Sequence, residues 1–260
     1  MLILNEEQYA KDIYSGKNSD TKSIMKKIRY VTRYLIHSEK QSDEDAYTNT
    51  IKWLKINHDN FDESCYSNVV SDAIKKAHKY PFYIIDSIKI AQSELDAISS
   101  LDDLRAEKVL FVLLCLAKQQ KLSNGFTNGL VKYSITDVCK MARVSVPADD
   151  REYIFHKILK DGLIDTPKKN DTKCLIVKFL NFNDVALELD EIDCKELAYV
   201  YLNWKNNGKG YTKCKKCKRW MKQSKTKPKK YCEECAKEAL KESWKEASQK
   251  YRDAKKNKSS

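Results

Sequence analysis

Two Cys-x-x-Cys pairs, Cys214/Cys217 and Cys232/Cys235, constrain this chain more than any other feature. They lie in the stretch Tyr211 to Ala236 and flank a short basic segment. Each pair folds into a tight knuckle that aims two sulfurs at one point, and four thiolates so spaced form a structural zinc site. The intervening segment is long enough for a hairpin, with Pro228 and its lysine neighbours marking the turn. Its length is slightly under the common spacing, which a short ribbon tolerates. Two other readings compete: free thiols in a reducing compartment, and a redox motif. A redox pair opens the helix of a βαβ unit, and only Cys232/Cys235 meets the helix part of that. Four thiolates close the tetrahedron and leave no open position for water or substrate, so the expected zinc is structural. A segment this small and charged buries too little apolar surface to fold without it.

Charge singles out the same region. The 260 residues carry a formal net charge of +12. From Asn203 to Ser260 there are 20 Lys/Arg against 6 Asp/Glu, whereas the rest holds 29 basic and 31 acidic residues. A localised basic block is the footprint of a polyanion-binding surface. The bland alternative is a solvated tail that keeps the protein soluble. The five other cysteines, Cys65, Cys115, Cys139, Cys174 and Cys194, sit in apolar or helical patterns and read as small buried hydrophobes. The start, Met1-Leu2-Ile3-Leu4, runs straight into a charged helix and does not read as a signal peptide. The longest apolar run, Val109 to Ala117, is far too short for a membrane span. A cytoplasmic location, in a bacterial host cell, is expected.

The fold class expected is mainly α in three parts: a helical domain over 1–100, a winged helix-turn-helix domain over 101–205, and a zinc ribbon with a basic helical tail over 206–260. Asn5 caps a first helix that Gly16 ends, and Asp20 or Thr21 starts a second. A third begins near Ser42, and a fourth runs from about Glu63 to His78 before Pro81 breaks the pattern. Phe82 to Ile90 alternates like a strand, and Gln92 to Ser99 reads as a short helix. The domain boundary is placed at Ser99-Ser100.

Leu104 to Lys121 reads as a central core helix. A short helix Ile135 to Ala142 capped by Ser134, a turn, and a helix from Ala148 to Asp161 closed by Gly162 follow. Leu163 to Asp165 and Lys173 to Phe182 read as two strands. Three helices and a hairpin are the order of a winged helix. Its third helix, however, opens with Asp149, Asp150 and Glu152 against a single Arg151, and such a helix opposes phosphate. The wing tip, with Lys168, Lys169 and Lys173, is the better phosphate contact. Residues 184–205 read as a final helix or connector started by Asp193, and Asn206 to Gly210 as a flexible joint. Ala236 to Lys256 reads as a charged helix carrying Glu238/Lys241, Glu242/Lys245 and Glu246/Lys250 pairs, with Leu240, Trp244 and Tyr251 as its apolar anchors.

The helical N-terminus, the run Val109 to Lys118, the Gly162-Leu163-Ile164 wing entry and the ending Lys230 to Ala236 resemble proteins encoded by phages and prophages of low-GC Gram-positive bacteria. The similarity spans most of the chain, and the ribbon motif is its sharpest part. It implies a phage accessory or replication-region protein, and it brings in inhibition of a host machine as a function.

No Walker-type loop, dinucleotide fingerprint, His-Glu-x-x-His array or Gly-x-Ser-x-Gly elbow occurs. His37, His58, His78 and His156 stand alone on helical patterns. The expected function is therefore non-enzymatic nucleic-acid binding by ribbon and tail. The expected zinc ligands are Cys214, Cys217, Cys232 and Cys235. The expected phosphate contacts are Lys213, Lys215, Lys216, Lys218, Arg219, Lys222, Lys225, Lys227, Lys229 and Lys230, joined by Lys168 and Lys169. Trp220 and Tyr231 are candidates for stacking on bases, or for packing under the hairpin. The alternative is an inhibitor that binds a host protein or nucleoprotein complex, a defence nuclease or the replication or transcription machinery.

Overall fold

A computed structural model describes residues 2–17, 23–59, 61–125, 128–167, 174–224 and 228–257, with side chains as far as residue 250. The Asn5 side chain accepts a hydrogen bond from Gln8 N–H at 2.9 Å and starts α1 (Glu6–Tyr14). Ser42 does the same for α3 (Asp43–Asn57) and Asp62 for α4 (Glu63–Ala77). These short polar side chains satisfy backbone donors that helix starts leave unpaired. Together with α2 (Ile24–His37) the helices enclose one apolar cluster, including Ile28, Val31, Leu35, Leu54, Val70 and Ile74. The expected start of α2 at Asp20 or Thr21 lies outside the described residues.

A larger core forms on α6 (Leu104–Asn124), where every residue from Val109 to Ala117 is buried. Such a helix is apolar all round because it is surrounded. Around it stand β1 (Ile88–Ala91), α5 (Gln92–Ser99), β2 (Leu130–Val131), α7 (Ile135–Met141), α8 (Ala148–Lys160), β3 (Ile164–Asp165) and β4 (Leu175–Val177). β5 (Val185–Leu189), α9 (Glu191–Cys194) and α10 (Leu197–Lys205) complete the ring. β1 pairs antiparallel with β5, Ile88 opposite Leu189, and a second sheet has the order β2-β4-β3. Gly129 leads into β2 with a φ of +68°, and a Cβ there would lie 2.1 Å from the Val177 carbonyl oxygen. Only glycine allows that approach.

Several expectations change. The strand over Phe82 to Ile90 shrinks to β1, with Ile84 making an isolated bridge to Asn5. Among the described residues, the strand expected over Lys173 to Phe182 is confined to Leu175–Val177. The connector at 184–205 is β5 followed by two helices. The division at residue 100 does not follow the packing, because Leu2, Leu4, Ile85, Ile88, Ile90, Leu95 and Ile98 join the same core as α6. The β1–β5 pairing supplies the reason: the partner strand comes from beyond residue 180, which no local pattern near residue 100 announces.

One ion pair is sealed inside this core. Lys118 Nζ lies 2.7 Å from Glu94 Oε2, with side-chain exposures of 1% and 0%. Nζ also donates to the carbonyls of Lys89 and Asn181, while Glu94 accepts from the N–H groups of Ala91 and Asn181. Every charge is answered, so the node ties α5, α6, β1 and the segment at Asn181 that precedes β5 together. Lys118→Met would strand the Glu94 carboxylate in the core, and a buried pair broken in this way costs about 3–5 kcal/mol. A urea titration followed by circular dichroism should show that loss as a lower midpoint at unchanged slope. An unchanged midpoint would mean that the pair adds nothing net.

The chain is thus mainly helical, with eleven helices among the described residues and a cluster of four cysteines near its C-terminus. No helix among those residues is long and apolar enough to cross a membrane.

Candidate metal centre

The C-terminal module begins as β6 (Tyr211–Lys213), reverses at the first cysteine pair and returns as β7 (Trp220–Lys222). The strands run antiparallel, with Thr212 opposite Met221. The reversal closes through Lys218 N–H to the Cys214 carbonyl and Cys214 N–H to the Arg219 carbonyl, each at 2.9 Å. Lys218 adopts a left-handed φ of 61°, which the tight turn requires. The hairpin therefore wraps the first pair instead of spanning the gap between the two, as the turn at Pro228 had suggested. Cys-x-x-Cys supplies its own turn, which frees the following segment to cross back. Lys215 N–H donates to the Lys230 carbonyl at 3.0 Å. The Gln223 amide grips Lys229, accepting from its N–H at 2.7 Å and donating to its carbonyl at 3.0 Å. This return delivers the second pair to the start of α11 (Glu233–Asn257), with Cys235 inside the first turn.

The four Sγ atoms come together within 4.8 Å of one another. Cys217 and Cys232 sulfurs are 3.7 Å apart. A disulfide would need about 2.05 Å, whereas the edge of a tetrahedron with Zn–S bonds of about 2.3 Å is roughly 3.8 Å. The spacing therefore fits four ligands around one ion. Cys214 is fully buried and Cys235 nearly so.

The electrostatics match that role. Burial raises the Cys214 pKa, but the N–H groups of Cys217, Cys232 and Lys216 outweigh it and bring the thiol down to about 6. Burial and the neighbouring thiols Cys232 and Cys217 push Cys235 up to about 12. Burial likewise raises Cys217. One thiolate forms readily; gathering more anionic sulfurs at this spacing needs a cation. The four cysteines can hold a metal ion, and a set of four thiolates is the donor chemistry of zinc.

The expected cationic residues that the structure describes divide into three groups. Lys215, Lys218, Lys222, Lys229 and Lys230 are exposed and make no ion pair within 4 Å among the described residues, although Lys237, helped by the nearby Lys229, holds the Glu233 carboxyl below its usual range. Lys216 and Arg219 are exposed but engaged: Lys216 reaches Glu238 and Glu242, each at 3.2 Å, and Arg219 reaches Glu234 at 3.1 Å. Lys213 points back to the body and pairs with Asp193 at 2.8 Å and Asp190 at 3.5 Å. Lys225, Lys227, Lys168 and Lys169 lie outside the described residues, as does Lys173.

Of the two aromatic candidates, Tyr231 is 38% exposed, whereas Trp220 is committed. Its Nε1 donates to Asp193 Oδ1 at 2.6 Å and its ring packs on the α6 core, with Lys213 Nζ 5.4 Å from the ring centroid. Asp193, read in sequence only as a helix start, is thus the anchor that seats the module. No sequence signal separates an anchoring aspartate from a capping one. The segment Asn206 to Gly210 consequently joins two docked parts, not two independent ones. Trp220→Ala should weaken the docking by about 2 kcal/mol, roughly thirtyfold in the detached population. Tryptic cleavage after Lys205 or Lys209 should accelerate accordingly while bound metal stays constant. Unchanged cleavage would show that other contacts hold the module.

Comparison with family models, with curated proteins and with solved structures yields no match for this chain.

Proposed function

We propose that this chain is a non-enzymatic nucleic-acid-binding protein of phage type, acting in the cytoplasm of a bacterial host, with a zinc-held module as its contact surface. One observation carries the reading: five lysines on a module held around four thiols stand exposed and unpaired, although acidic partners elsewhere take up Lys213, Lys216 and Arg219. Unpaired ammonium groups at this density repel one another, and a polyphosphate relieves that. Four sulfur ligands would fill a zinc tetrahedron, which supports a structural ion and not a catalytic one.

The order α6, β2, α7, α8, β3, β4, with β4 central in its sheet, supports reading residues 104–177 as a winged helix. In this reading it is a platform and not the groove reader. The exposed side of α8 presents Asp149, Asp150 and Glu152, which repel phosphate.

The test is a mobility-shift and anisotropy series on metal-loaded protein with DNA and RNA, single- and double-stranded, across salt concentrations. Five phosphate contacts on a duplex give a slope of about −4.5 in log K against log salt. A flat salt response would end the reading.

The same α8 face favours the second reading, a protein that binds a host complex. Tyr153 is 64% exposed among those acids, a combination suited to a basic protein surface. A pull-down from nuclease-treated host lysate that returns a stoichiometric protein, lost with Tyr153→Ala, would favour it over nucleic-acid binding.

A further inference from the structure

α11 is a 25-residue helix, about 37 Å long at 1.5 Å per residue. Every side chain from Leu240 to Lys250 is exposed. Its residues fall on three stripes, each stepping by four. Ala236, Leu240 and Trp244 form an apolar line, Lys237, Lys241 and Lys245 a basic line, and Glu238, Glu242 and Glu246 an acidic line. Successive lines are rotated by about 100°. None of the expected intrahelical pairs of Glu238, Glu242 or Glu246 forms among the described residues. Lys216 instead holds both Glu238 and Glu242 from the cysteine module. Glu238 and Glu242 thus lie on the side of the cysteine module, still exposed, while Lys241 and Lys245 have no ion pair among the described residues, beside the apolar line.

Trp244 is 66% exposed and Leu240 53%. The other tryptophans are used elsewhere: Trp53 is buried in the N-terminal bundle, and Trp204 and Trp220 pack on the α6 core. Trp244 adds to no core, so its exposure costs solvation without a return in folding. Lys241, Lys245, Ser248 and Gln249 share its exposed side of the helix.

We propose that this face of α11 is a stacking platform for unpaired bases, so that the nucleic acid held by this protein is single-stranded. The inference rests on the nucleic-acid reading above and narrows it. An indole flanked by two ammonium groups matches a base flanked by its phosphates. A duplex hides its base faces, so only an opened strand offers the ring that Trp244 can cover.

The experiment uses full-length zinc-loaded protein with a labelled oligo-dT strand, a duplex of equal length, and anionic phospholipid vesicles. Oligo-dT should bind more tightly than the duplex and quench tryptophan emission. Trp244→Ala should remove that quenching and weaken oligo-dT binding roughly tenfold or more. Duplex binding and zinc content should not change. The variant keeps the helix, since alanine is its best former. Equal losses on strand and duplex, or no loss on either, would overturn the proposal and leave nucleic-acid binding intact. Preference for vesicles, or a concentration-dependent dimer abolished by Trp244→Ala, would overturn it in favour of a lipid or a second copy. Failure of the native protein to bind any nucleic acid would overturn both readings.

Discussion

Replacing Cys214 and Cys232 by serine should abolish metal binding and unfold the C-terminal module, while the rest of the chain keeps its fold. The module's own core consists of Cys214, Met221 and Cys235, with Cys217 and Cys232 at its edge. That is too little apolar surface to offset the entropy of ordering the chain from Tyr211 to Ala236. Structural zinc contributes about 10–16 kcal/mol in comparable thiolate sites, which decides the matter for so small a unit. The two larger cores, around α6 and within the N-terminal bundle, contain none of the four cysteines. Elemental analysis of native protein should therefore find one zinc per chain, and of the double variant none. Hydrogen exchange should lose protection over residues 211–236 and retain it in α6. Because burial holds the pKa values of Cys217 and Cys235 above that of a free thiol, both must release protons to the solvent when the ion enters. Zinc affinity should accordingly fall as pH falls, which a competition titration against a chromophoric chelator can read. Native protein prepared without chelators and free of metal would refute the centre.

Removing the unpaired lysines should have an effect nearly as large on binding and almost none on folding. At about 0.1 M salt each phosphate contact on a duplex is worth roughly 0.9 of a decade in affinity. Lys215, Lys218, Lys222, Lys229 and Lys230 all changed to glutamine should then weaken binding on the order of 10⁴-fold and flatten the salt slope by about 4.5. Lys213→Gln is the internal control. Its ammonium is already spent on Asp190 and Asp193, so the slope should hold while the module loosens. Lys216→Gln and Arg219→Gln should fall between, since the carboxylates of Glu238, Glu242 and Glu234 compete with phosphate for them. A slope that drops as much for Lys213 as for Lys222 would show that total charge matters and not its placement.

Much of the helical framework was readable before any coordinates. Asn5, Ser42 and Ser134 each cap a helix through a contact three residues away. α5 matches its expected span residue for residue. β3 was legible as Leu163 to Asp165 and β4 as part of the run Lys173 to Phe182, whereas β2, only two residues long, carries too few alternations to register. β5 does alternate, with Val185, Leu187 and Leu189 two apart, but its five residues run directly into the helix-start aspartates Asp190 and Asp193 and read as part of that connector.

The four clustered cysteines and the ends of most helices were determined by sequence alone, since knuckles, caps and left-handed glycines act over a few neighbouring residues. Tertiary structure alone decided which lysines remain free, that Trp220 closes on Asp193, and that Ile88 faces Leu189. Those outcomes depend on charges and edges brought together from distant parts of the chain. An ammonium group is available to an anion only if folding has not already given it one.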